Sequence, residues 1–373
     1  MILMKKLRFS ALLFWGTLTF FACLKEQNPA NTPAQEDKNY FVPDMKTFSL
    51  SRSSCDWTTL PAGSADALAE AIANTCEGGV IYLKSGIHTE SQSVVIQKSV
   101  KIVGEAGAVL KVQSELSPVD TATGNIPVHA ALHILNAPGT LIQDIAIEPL
   151  GSDGGAAILI ENASQSAVIH CNITAHQFGI ILEKSDRIAL MRNTIVVSSA
   201  WQTGLVSDAH GIVVMNGKSA YVSDNDISNA LFGIWACDKW GTCERNSTHE
   251  NYIGIILCKV PNGSMRLPGG QVTGAEFSAT LWKTRQNHSY NNFDAGYLII
   301  DGSNNNLLEN NDGGNNATYD YEIVGDSYRF GFFTPFAFDN ILYAKPGQTV
   351  KNCGQNSTVI GGVAVDTGVD VCQ

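Results

Sequence analysis

The sequence Gly179-Ile180-Ile181-Leu182 is one of six copies of a short phrase in the middle of the chain. The other copies are Ala157-Ile158-Leu159-Ile160, Gly211-Ile212-Val213-Val214, Gly233-Ile234-Trp235-Ala236, Gly254-Ile255-Ile256-Leu257 and Gly296-Tyr297-Leu298-Ile299. Their first residues are separated by 22, 32, 22, 21 and 42 positions. A unit near 22 residues explains these steps if the second step carries a ten-residue insertion and the last spans two units or one long loop. A fixed period of this size predicts a solenoid.

Each unit has the periodicity of a β-strand, because its apolar residues stand two positions apart, as in Ile180 and Leu182. A second apolar pair follows later in the unit, as in Val168-Ile169. In three units, asparagine stands fourteen residues after the leading glycine, at Asn193, Asn225 and Asn310. In a fourth unit, Asn172 stands one place away from this position. Asparagine tolerates left-handed backbone and can bond to the amides of the next coil. The pattern therefore predicts stacked coils whose short strands form parallel sheets.

The coils Gly179-Ile180…Asn193-Thr194-Ile195 and Gly211-Ile212…Asn225-Asp226-Ile227 resemble those of the right-handed parallel β-helix in the pectin-lyase-like superfamily. The resemblance covers residues 78 to about 343. It implies an all-β, single-stranded parallel β-helix with an N-terminal capping helix. We expect one domain over residues 55–373, present as a monomer. The scaffold carries many activities, so the resemblance alone implies no single one.

The first 22 residues have the pattern of an export signal. Lys5, Lys6 and Arg8 precede an apolar run at 11–21 that is too short to span a bilayer as a mature helix. Cys23 directly follows Ala22, which resembles a bacterial lipoprotein cleavage site and implies a lipidated Cys23 as the membrane anchor of a cell-envelope protein. Plain secretion with a free Cys23 is the alternative. Residues 23–54 are polar and predict a flexible tether.

The net charge limits the classes of molecule that the protein is expected to bind. The formal net charge of −11 becomes −14 when the three cations of the signal are removed, which argues against nucleic acid. The same charge disfavours polyanionic glycans unless cations or bound Ca²⁺ concentrate locally.

Eight cysteines remain after Cys23, and an even number in an exported chain predicts up to four disulfides. The local candidates, which leave Cys171 and Cys258 open, are Cys55–Cys76, Cys237–Cys243 and Cys353–Cys372.

The segments outside the repeats predict a cap at each end of the solenoid and two loops. Residues 64–76 predict a helix with Ser64 as N-cap, and this helix would close the open end of the first coil. Residues 113–128 predict a loop that leaves the barrel. Residues 260–292, which break the repeat with prolines and glycines, predict a large loop lying over one face. Residues 330–373, rich in phenylalanine at their start, predict a disulfide-pinned cap at the far end.

Stacking the units in register places equivalent positions side by side, about 4.8 Å apart. The position before the leading glycine is otherwise apolar, and the row is Phe178, His210, Phe232, Ile253 and Ala295. Two positions earlier, His176 and Asp208 are lateral neighbours. Asp208 and His210, with His176 beside them, are therefore a candidate catalytic base and its orienting group. The alternative is a histidine stacked between two phenylalanine rings and an aspartate that caps a turn.

Two further rows suggest contacts with a ligand. Five positions after the glycine, the residues are Lys184, Asn216, Asp238, Lys259 and Asp301. This row would hold a sugar carboxylate or Ca²⁺, or its charges would merely neutralise one another at a solvated strand end. Trp235 lies in an outward row that either the 260–292 loop covers or that offers a stacking platform for a sugar ring. The insertion at 200–209 places Trp201 beside His210, as one wall of a cleft.

Two functions of different classes remain open. The first is a carbohydrate-active enzyme of lyase, epimerase or hydrolase type on an extracellular polysaccharide or oligosaccharide. A lyase needs a cation near a base, for which Lys184 or Lys259 with His210 would serve. His210-Gly211-Ile212 resembles the His-Gly-Phe/Ile coil of mannuronan epimerases, where such a histidine works on a uronate ring, although the Asp-Pro-His motif is absent. The second is a non-catalytic β-helix that binds glycans or proteins, or a periplasmic helper like the NosD-type repeat proteins that it also resembles.

Overall fold

The structure is a computed structural model of the 373-residue chain. It describes residues 40–46, 48, 57–114, 126–150, 155–198, 202, 209–260, 264–325, 327–329 and 332–365. Residues 38–373 form one compact unit, and a separate unit, Met1–Asp37, lies outside the described residues. The predicted signal, Cys23 and most of the predicted tether therefore stay predictions.

The chain winds into coils of three short strands, and each strand pairs in parallel with its equivalent in the next coil. The first sheet contains β1 (Trp57–Leu60), β2 (Val80–Leu83), β5 (Lys101–Gly104), β9 (Leu141–Gln143), β12 (Ala167–Ile169), β15 (Ala189–Met191), β18 (Tyr221–Ser223), β21 (Thr242–Glu244), β26 (Lys283–Arg285) and β29 (Leu307–Glu309). The second contains β3 (Gly86–Glu90), β6 (Ala108–Gln113), β10 (Ala146–Leu150), β13 (Asn172–Ala175), β16 (Thr194–Val197), β19 (Asp226–Ser228), β22 (Ser247–His249), β27 (His288–Tyr290) and β30 (Asp312–Gly314).

The third sheet carries the repeated phrase. It contains β4 (Val94–Ile96), β8 (Ala130–Leu135), β11 (Ala156–Glu161), β14 (Phe178–Glu183), β17 (His210–Lys218), β20 (Phe232–Lys239), β23 (Ile253–Leu257), β28 (Ala295–Ile299) and β31 (Tyr319–Ile323). The long strand β34 (Ile341–Asn352) pairs with both β29 and β31, so it joins the first and third sheets, and β35 (Thr358–Ala364) pairs with β34. Outside the coils lie β7 (Ile126–Pro127), β24 (Met265–Arg266) and β25 (Val272–Thr273) in one small sheet, and the hairpin of β32 (Ser327–Arg329) and β33 (Phe332–Thr334).

The register of the third sheet confirms the parallel β-helix. The isoleucines of the repeated phrase pair laterally from coil to coil in the order Ile158, Ile180, Ile212, Ile234 and Ile255. They point into one continuous hydrophobic core, where each is 0% or 1% exposed. Alternate residues of the same strands point outward and build a second, separate hydrophobic cluster on the outer surface of the third sheet.

A ladder of asparagine side chains lines the turn between the first and second sheets. Each member's Oδ1 accepts from the backbone N–H of the residue one coil earlier, and the members are Asn193, Asn225, Asn246, Asn287 and Asn311. The predicted role is right for Asn193 and Asn225. It is wrong for Asn310, which is the exposed left-handed residue before Asn311, and for Asn172, since Cys171 fills that buried place.

The predicted helix is shorter than expected and has a different cap. Helix α1 runs from Leu68 to Asn74, and its N-terminal residue Ala67 makes no side-chain capping bond. The Leu68 N–H donates instead to Oε1 of Glu90 on β3, 2.8 Å away. Ser64 is not the N-cap, because its hydroxyl bonds the carbonyl of Pro61 and its neighbour Asp66 adopts left-handed backbone. The buried face of Leu68, Ala71 and Ile72 still closes the core at this end.

Two segments cover outer surfaces of the solenoid. Residues 40–46 and 48, predicted as part of the flexible tether, lie on the first sheet, where Phe48 joins a cluster with Leu141 and Tyr221. The Tyr40 hydroxyl donates to the carbonyl of Leu281, and Lys283 lies over its ring. These residues are therefore part of the folded unit, because they bury apolar side chains that a tether would leave in water.

Residues 264–275, which we call the cover segment, lie on the third sheet. Met265, Leu267 and Ala275 belong to the outer hydrophobic cluster. The predicted loop 260–292 is thus right in placing a covering loop but wrong in its end, because the chain has rejoined the coils by β26. Of the predicted loop 113–128, residues 115–125 lie outside the described residues.

The predicted bridge Cys237–Cys243 is wrong, since both are free and buried. Cys237 points outward from the third sheet, whereas Cys243 points into the core from the first sheet, so the two side chains lie on opposite sides of the wall. Cys76 and Cys353 are disulfide-bonded. Their predicted partners Cys55 and Cys372 lie outside the described residues, so these two pairings stay predictions.

Of the predicted far-end cap, the described side chains of Phe336, Ile341 and Ile360 are exposed.

Candidate functional site

The outer surface of the third sheet changes from open to covered along the solenoid. Val95, on the first coil, is 46% exposed. His133 pairs beside it on the next coil and is 4% exposed, and Leu159 on the following coil is fully buried. Further along, the cover segment and β7 close the surface, where the N–H groups of Ile126 and Val128 donate to carbonyls of the cover segment. Polar side chains at this boundary lie where the sheet passes from exposed to covered.

His133 and Glu161 form a hydrogen-bonded pair at the boundary. Nε2 of His133 lies 2.9 Å from Oε2 of Glu161, and both side chains are more than nine-tenths buried. His133 stands in the middle of β8 and Glu161 at the end of β11, on adjacent coils. Burial of two titratable groups on an otherwise apolar wall costs free energy unless the groups are paired. A pair of titratable groups that is buried but still slightly exposed is typical of a functional site.

Glu183 lies beside Glu161 on the next coil, because β11 and β14 pair these two residues in register. It is fully buried, and burial raises the pKa of the Glu183 carboxyl above its usual value. Hydrogen bonds from Asn216 and Thr273 and the charge of Lys184 oppose this rise, while the charge of Glu161 adds to it. The environment therefore favours a protonated Glu183 at a pH where an exposed glutamate has lost its proton.

The partners of Glu183 attach the cover segment to the sheet. Nδ2 of Asn216 donates to both oxygens of Glu183, at 3.1 and 3.0 Å, and also to the Gly274 carbonyl at 2.7 Å. The Thr273 hydroxyl donates to Glu183 Oε1 at 2.9 Å. The Lys184 ammonium lies 3.7 Å from the same oxygen and is one-third exposed. Movement of residues 273 and 274 would uncover Glu183 next to Glu161.

The structure places His210 in the alternative role predicted for it, as a stacked histidine. Its ring stacks on Phe232 at 4.9 Å and lies 5.5 Å from Phe178 and 4.6 Å from Trp235, between ring centroids. The residue is 0% exposed. Lys184 stands six residues beyond Phe178, the lateral neighbour of His210, so the strand separates these groups by about 20 Å. The predicted pairing of His210 with Lys184 is therefore not formed.

Trp235 and Asp238, predicted to bind substrate, are not available to a ligand. Trp235 packs edge-on against Phe232 beneath the cover segment, which confirms that a loop covers its row. Asp238 is 0% exposed, and among the described residues its carboxyl oxygens have no hydrogen-bond partner, while the Trp282 indole donates to its backbone carbonyl. Burial raises the pKa of Asp238 well above its usual value.

Other predicted residues are dispersed or lie outside the described residues. Lys259 and Asp301 are lateral neighbours, and burial raises the pKa of Asp301 to about 6 against the opposing charge of Lys259. His176 is half-buried at the end of the second sheet, where its carbonyl accepts from Ser198. Trp201 and Asp208 lie outside the described residues. Within the described ranges, no group of three or more His, Cys, Asp or Glu side chains is placed to hold a metal ion, and Ca²⁺ binding stays a prediction.

His133, Glu161 and Glu183 were not among the predicted site residues, although the sequence contains a signal for two of them. Glu161 and Glu183 each stand four positions after the first residue of the repeated phrase, and the same position in the next units is Met215, Cys237 and Cys258. Two acids in a row of apolar residues and thiols stand out once the register is applied. His133 precedes the first recognised repeat, so no row contained it.

Comparison with solved structures agrees with this architecture. Endo-xylogalacturonan hydrolase from Aspergillus tubingensis aligns over 83% of this chain and 92% of its own, with a TM-score of 0.52 and 10% identity. Polygalacturonase from Erwinia carotovora ssp. carotovora aligns over 82% of this chain and 93% of its own, with a TM-score of 0.47 and 11% identity. Alginate lyase from Paenibacillus sp. aligns over 71% of this chain and 99% of its own, with a TM-score of 0.42 and 11% identity.

The first of these alignments is extensive enough to establish a common fold, and at 10% identity it establishes no more. The chain thus has the fold of a right-handed parallel β-helix. No protein-family model matches the sequence, and no curated protein is detectably similar to it. Among the described residues, no helix is long and apolar enough to cross a membrane.

Proposed function

We propose that the protein is an exported, lipid-anchored β-helix enzyme that hydrolyses a glycosidic bond of a polysaccharide, with Glu161 and Glu183 as its two catalytic residues. The observation that carries the proposal is the acid pair itself: two glutamates in lateral register on an otherwise apolar wall, one of them bonded to His133. The solved β-helices that share this architecture include a hydrolase named for its action on xylogalacturonan, which supports a carbohydrate substrate.

The environments of the two acids suit different tasks. Glycosidic hydrolysis needs one protonated carboxyl to donate to the leaving oxygen and one carboxylate on the other side of the bond. Glu183, whose pKa burial raises, takes the first role. Glu161 takes the second, held in one orientation by His133. The Cα atoms of residues on adjacent strands are about 4.8 Å apart. Carboxyl groups that keep a separation of about 5 Å would give hydrolysis with retention at the anomeric carbon.

The charge around the pair favours a neutral glycan. Glu161 and Glu183 contribute two acids, and Lys184 contributes one cation that is already committed to Glu183. A uronate carboxylate at this position would meet the like charge of Glu161, whereas sugar hydroxyls would find an acceptor in Glu161 and a donor in the protonated Glu183. Glu183 is reached when Thr273 and Gly274 move aside, so the cover segment acts as a lid in this proposal.

A second candidate is the non-catalytic glycan-binding β-helix. The dispersal of His210, His176 and Lys184 over separate parts of the molecule favours it, because a site needs convergent groups. Under this alternative, Glu183 serves to attach the cover segment through Thr273 and Asn216, and the protein binds a glycan without changing it.

The experiment is a screen of the purified chain on neutral and uronic polysaccharides, followed by release of reducing ends from the best substrate. Glu161→Gln and Glu183→Gln keep the size and shape of the side chain but cannot donate or accept the proton that catalysis transfers, and each should lower the rate by roughly 10²–10⁴-fold. Glu148→Gln, a surface acid paired with Lys111, is the matched control and should leave the rate unchanged. Binding without product release by the wild type would select the second candidate.

A further inference from the structure

The outer cluster of the third sheet contains two cysteines on consecutive coils. Cys237 ends the apolar part of β20, and Cys258 directly follows β23. Their Sγ atoms lie 3.6 Å apart, and the Trp235 indole donates to Cys258 Sγ. Among the four free cysteines of the described residues, this is the pair in contact, because Cys171 and Cys243 bond to backbone or asparagine groups inside the core.

The backbone places this pair within the geometry of a disulfide. Adjacent parallel strands hold equivalent Cα atoms about 4.8 Å apart, within the roughly 4.4–6.8 Å that a disulfide spans. Both side chains point to the same side of the sheet, into one cluster. Formation of the S–S bond requires the sulfur atoms to approach from 3.6 Å to about 2.05 Å, which side-chain rotation supplies without a change of register.

We propose that Cys237 and Cys258 are a modification site, at which an inter-coil disulfide links the sixth and seventh coils in the exported protein. The bond fixes the root of the cover segment, because Cys258 also accepts a backbone bond from Ala279 and lies two residues before Val260, which accepts from Ala275. The link does not depend on the catalytic proposal. It replaces the sequence-based pairing of Cys237 with Cys243.

The oxidation uses a disulfide donor and balances as thiol–disulfide exchange. A thiolate formed from one cysteine attacks the donor and releases the first donor thiol; the second cysteine then attacks the mixed disulfide and releases the other. The two cysteines lose two electrons and two protons, and the donor disulfide is reduced to two thiols. Because both sulfur atoms are buried in the finished fold, the exchange takes place while the seventh coil is docking onto the sixth.

The test uses the full chain, reduced, unfolded and refolded with oxidised glutathione as the donor. Free thiols are then alkylated under denaturing conditions, and the digest is mapped by mass spectrometry without reduction. We expect a linked peptide pair containing Cys237 and Cys258. The rise in Tm from refolding with reduced glutathione to refolding with oxidised glutathione should be on the order of 5 °C larger in the wild type than in Cys237→Ser, since both chains can form the disulfides of Cys76 and Cys353.

The control variants separate this pair from other cysteines. Cys237→Ser and Cys258→Ser should each abolish the linked pair and leave the remaining partner alkylated, whereas Cys243→Ser should leave the link intact. If a variant fails to fold, the wild-type map alone decides. Full alkylation of Cys237 and Cys258 after refolding in the donor, or a link from Cys237 to Cys243, would overturn the proposal.

Discussion

Replacement of Asn225 by alanine tests the asparagine ladder, which fixes the turn between the first and second sheets. The Asn225 amide accepts from the N–H and the Nδ2 of Asn193 at 3.0 and 2.9 Å, and it donates to the Leu190 carbonyl and to Oδ1 of Asn246, both at 2.9 Å. The side chain is 1% exposed, so water does not replace these bonds in the folded protein.

The magnitude follows from the number of bonds. An intramolecular hydrogen bond contributes about 1 kcal/mol net, and buried groups left without partners add to the loss. Four bonds predict a decrease of about 4 kcal/mol in the free energy of unfolding of Asn225→Ala, at the upper end of single substitutions. Asn172→Ala is the matched control, because Asn172 stands beside the equivalent position two coils away but is exposed, and it should change stability by less than about 0.5 kcal/mol.

Urea unfolding followed by far-ultraviolet circular dichroism measures both variants, provided that their m-values equal that of the wild type. A lowered m-value in Asn225→Ala would show that the coils unfold separately, and the comparison then uses the midpoint of the coils that contain the change. A loss below about 1 kcal/mol, or a loss equal to that of the control, would refute the account of the ladder.

Substitutions at three further residues test particular environments. His210→Phe should keep the melting temperature within a few degrees, whereas His210→Ala should cost about 2–4 kcal/mol by opening a cavity between aromatic rings; equal losses in the two thermal melts would contradict the stacked role. Because the pKa of Asp238 is raised in the folded protein, its carboxyl contributes folding stability at pH values below its pKa in the unfolded chain. This stability is lost as the pH rises through its pKa in the folded protein. Asp238→Asn should therefore gain stability over the wild type at pH 7 and little at pH 3 in paired urea titrations, and a gain independent of pH would be inconsistent with a buried carboxyl. Thr273→Val removes a hydrogen bond that lowers the pKa of Glu183, so the alkaline limb of the pH–rate profile should move to higher pH, and a shift to lower pH would count against Glu183 as the acid.

The fold could be predicted because its main determinant is repeated. Residues such as Ile180 and Ile212 recur at the spacing of one coil, and a strand that must bury one side admits one register. The helix cap could not be predicted in the same way, since the acceptor for the Leu68 N–H is Glu90, which is 22 residues distant and is brought close by the first coil. Local sequence favoured Ser64, whose hydroxyl is occupied elsewhere.

The cysteine pairing failed for a reason of geometry. Cys237 and Cys243 are six residues apart, which suggested a local bridge, but a corner of the coil lies between them and turns one outward and the other inward. The partner that Cys237 contacts is Cys258, at the distance of one complete coil. Register was therefore the better guide than proximity along the chain.

The predicted site and the proposed acid pair lie on the same sheet but consist of different residues. His210 was singled out as a titratable group in an aromatic row, and that row is closed by Phe178, Phe232 and Trp235. The acid pair stands four positions after the first residue of the phrase, in a row from which no site residue was predicted. Part of the hydrogen bonding that opposes the raised pKa of Glu183 comes from Thr273, which is 90 residues distant, and no local pattern shows that contact.

The measurement that tests the central proposal most directly is hydrolysis in water enriched in oxygen-18. The wild-type chain is incubated with the best neutral polysaccharide from the screen, and the released oligosaccharides are weighed by mass spectrometry. We predict one labelled oxygen for each bond cleaved, and no release by Glu161→Gln or Glu183→Gln beyond about a hundredth of the wild-type rate. Products that lack the label and carry a double bond, product release by Glu161→Gln at the wild-type rate, or no cleavage of any polysaccharide would contradict it.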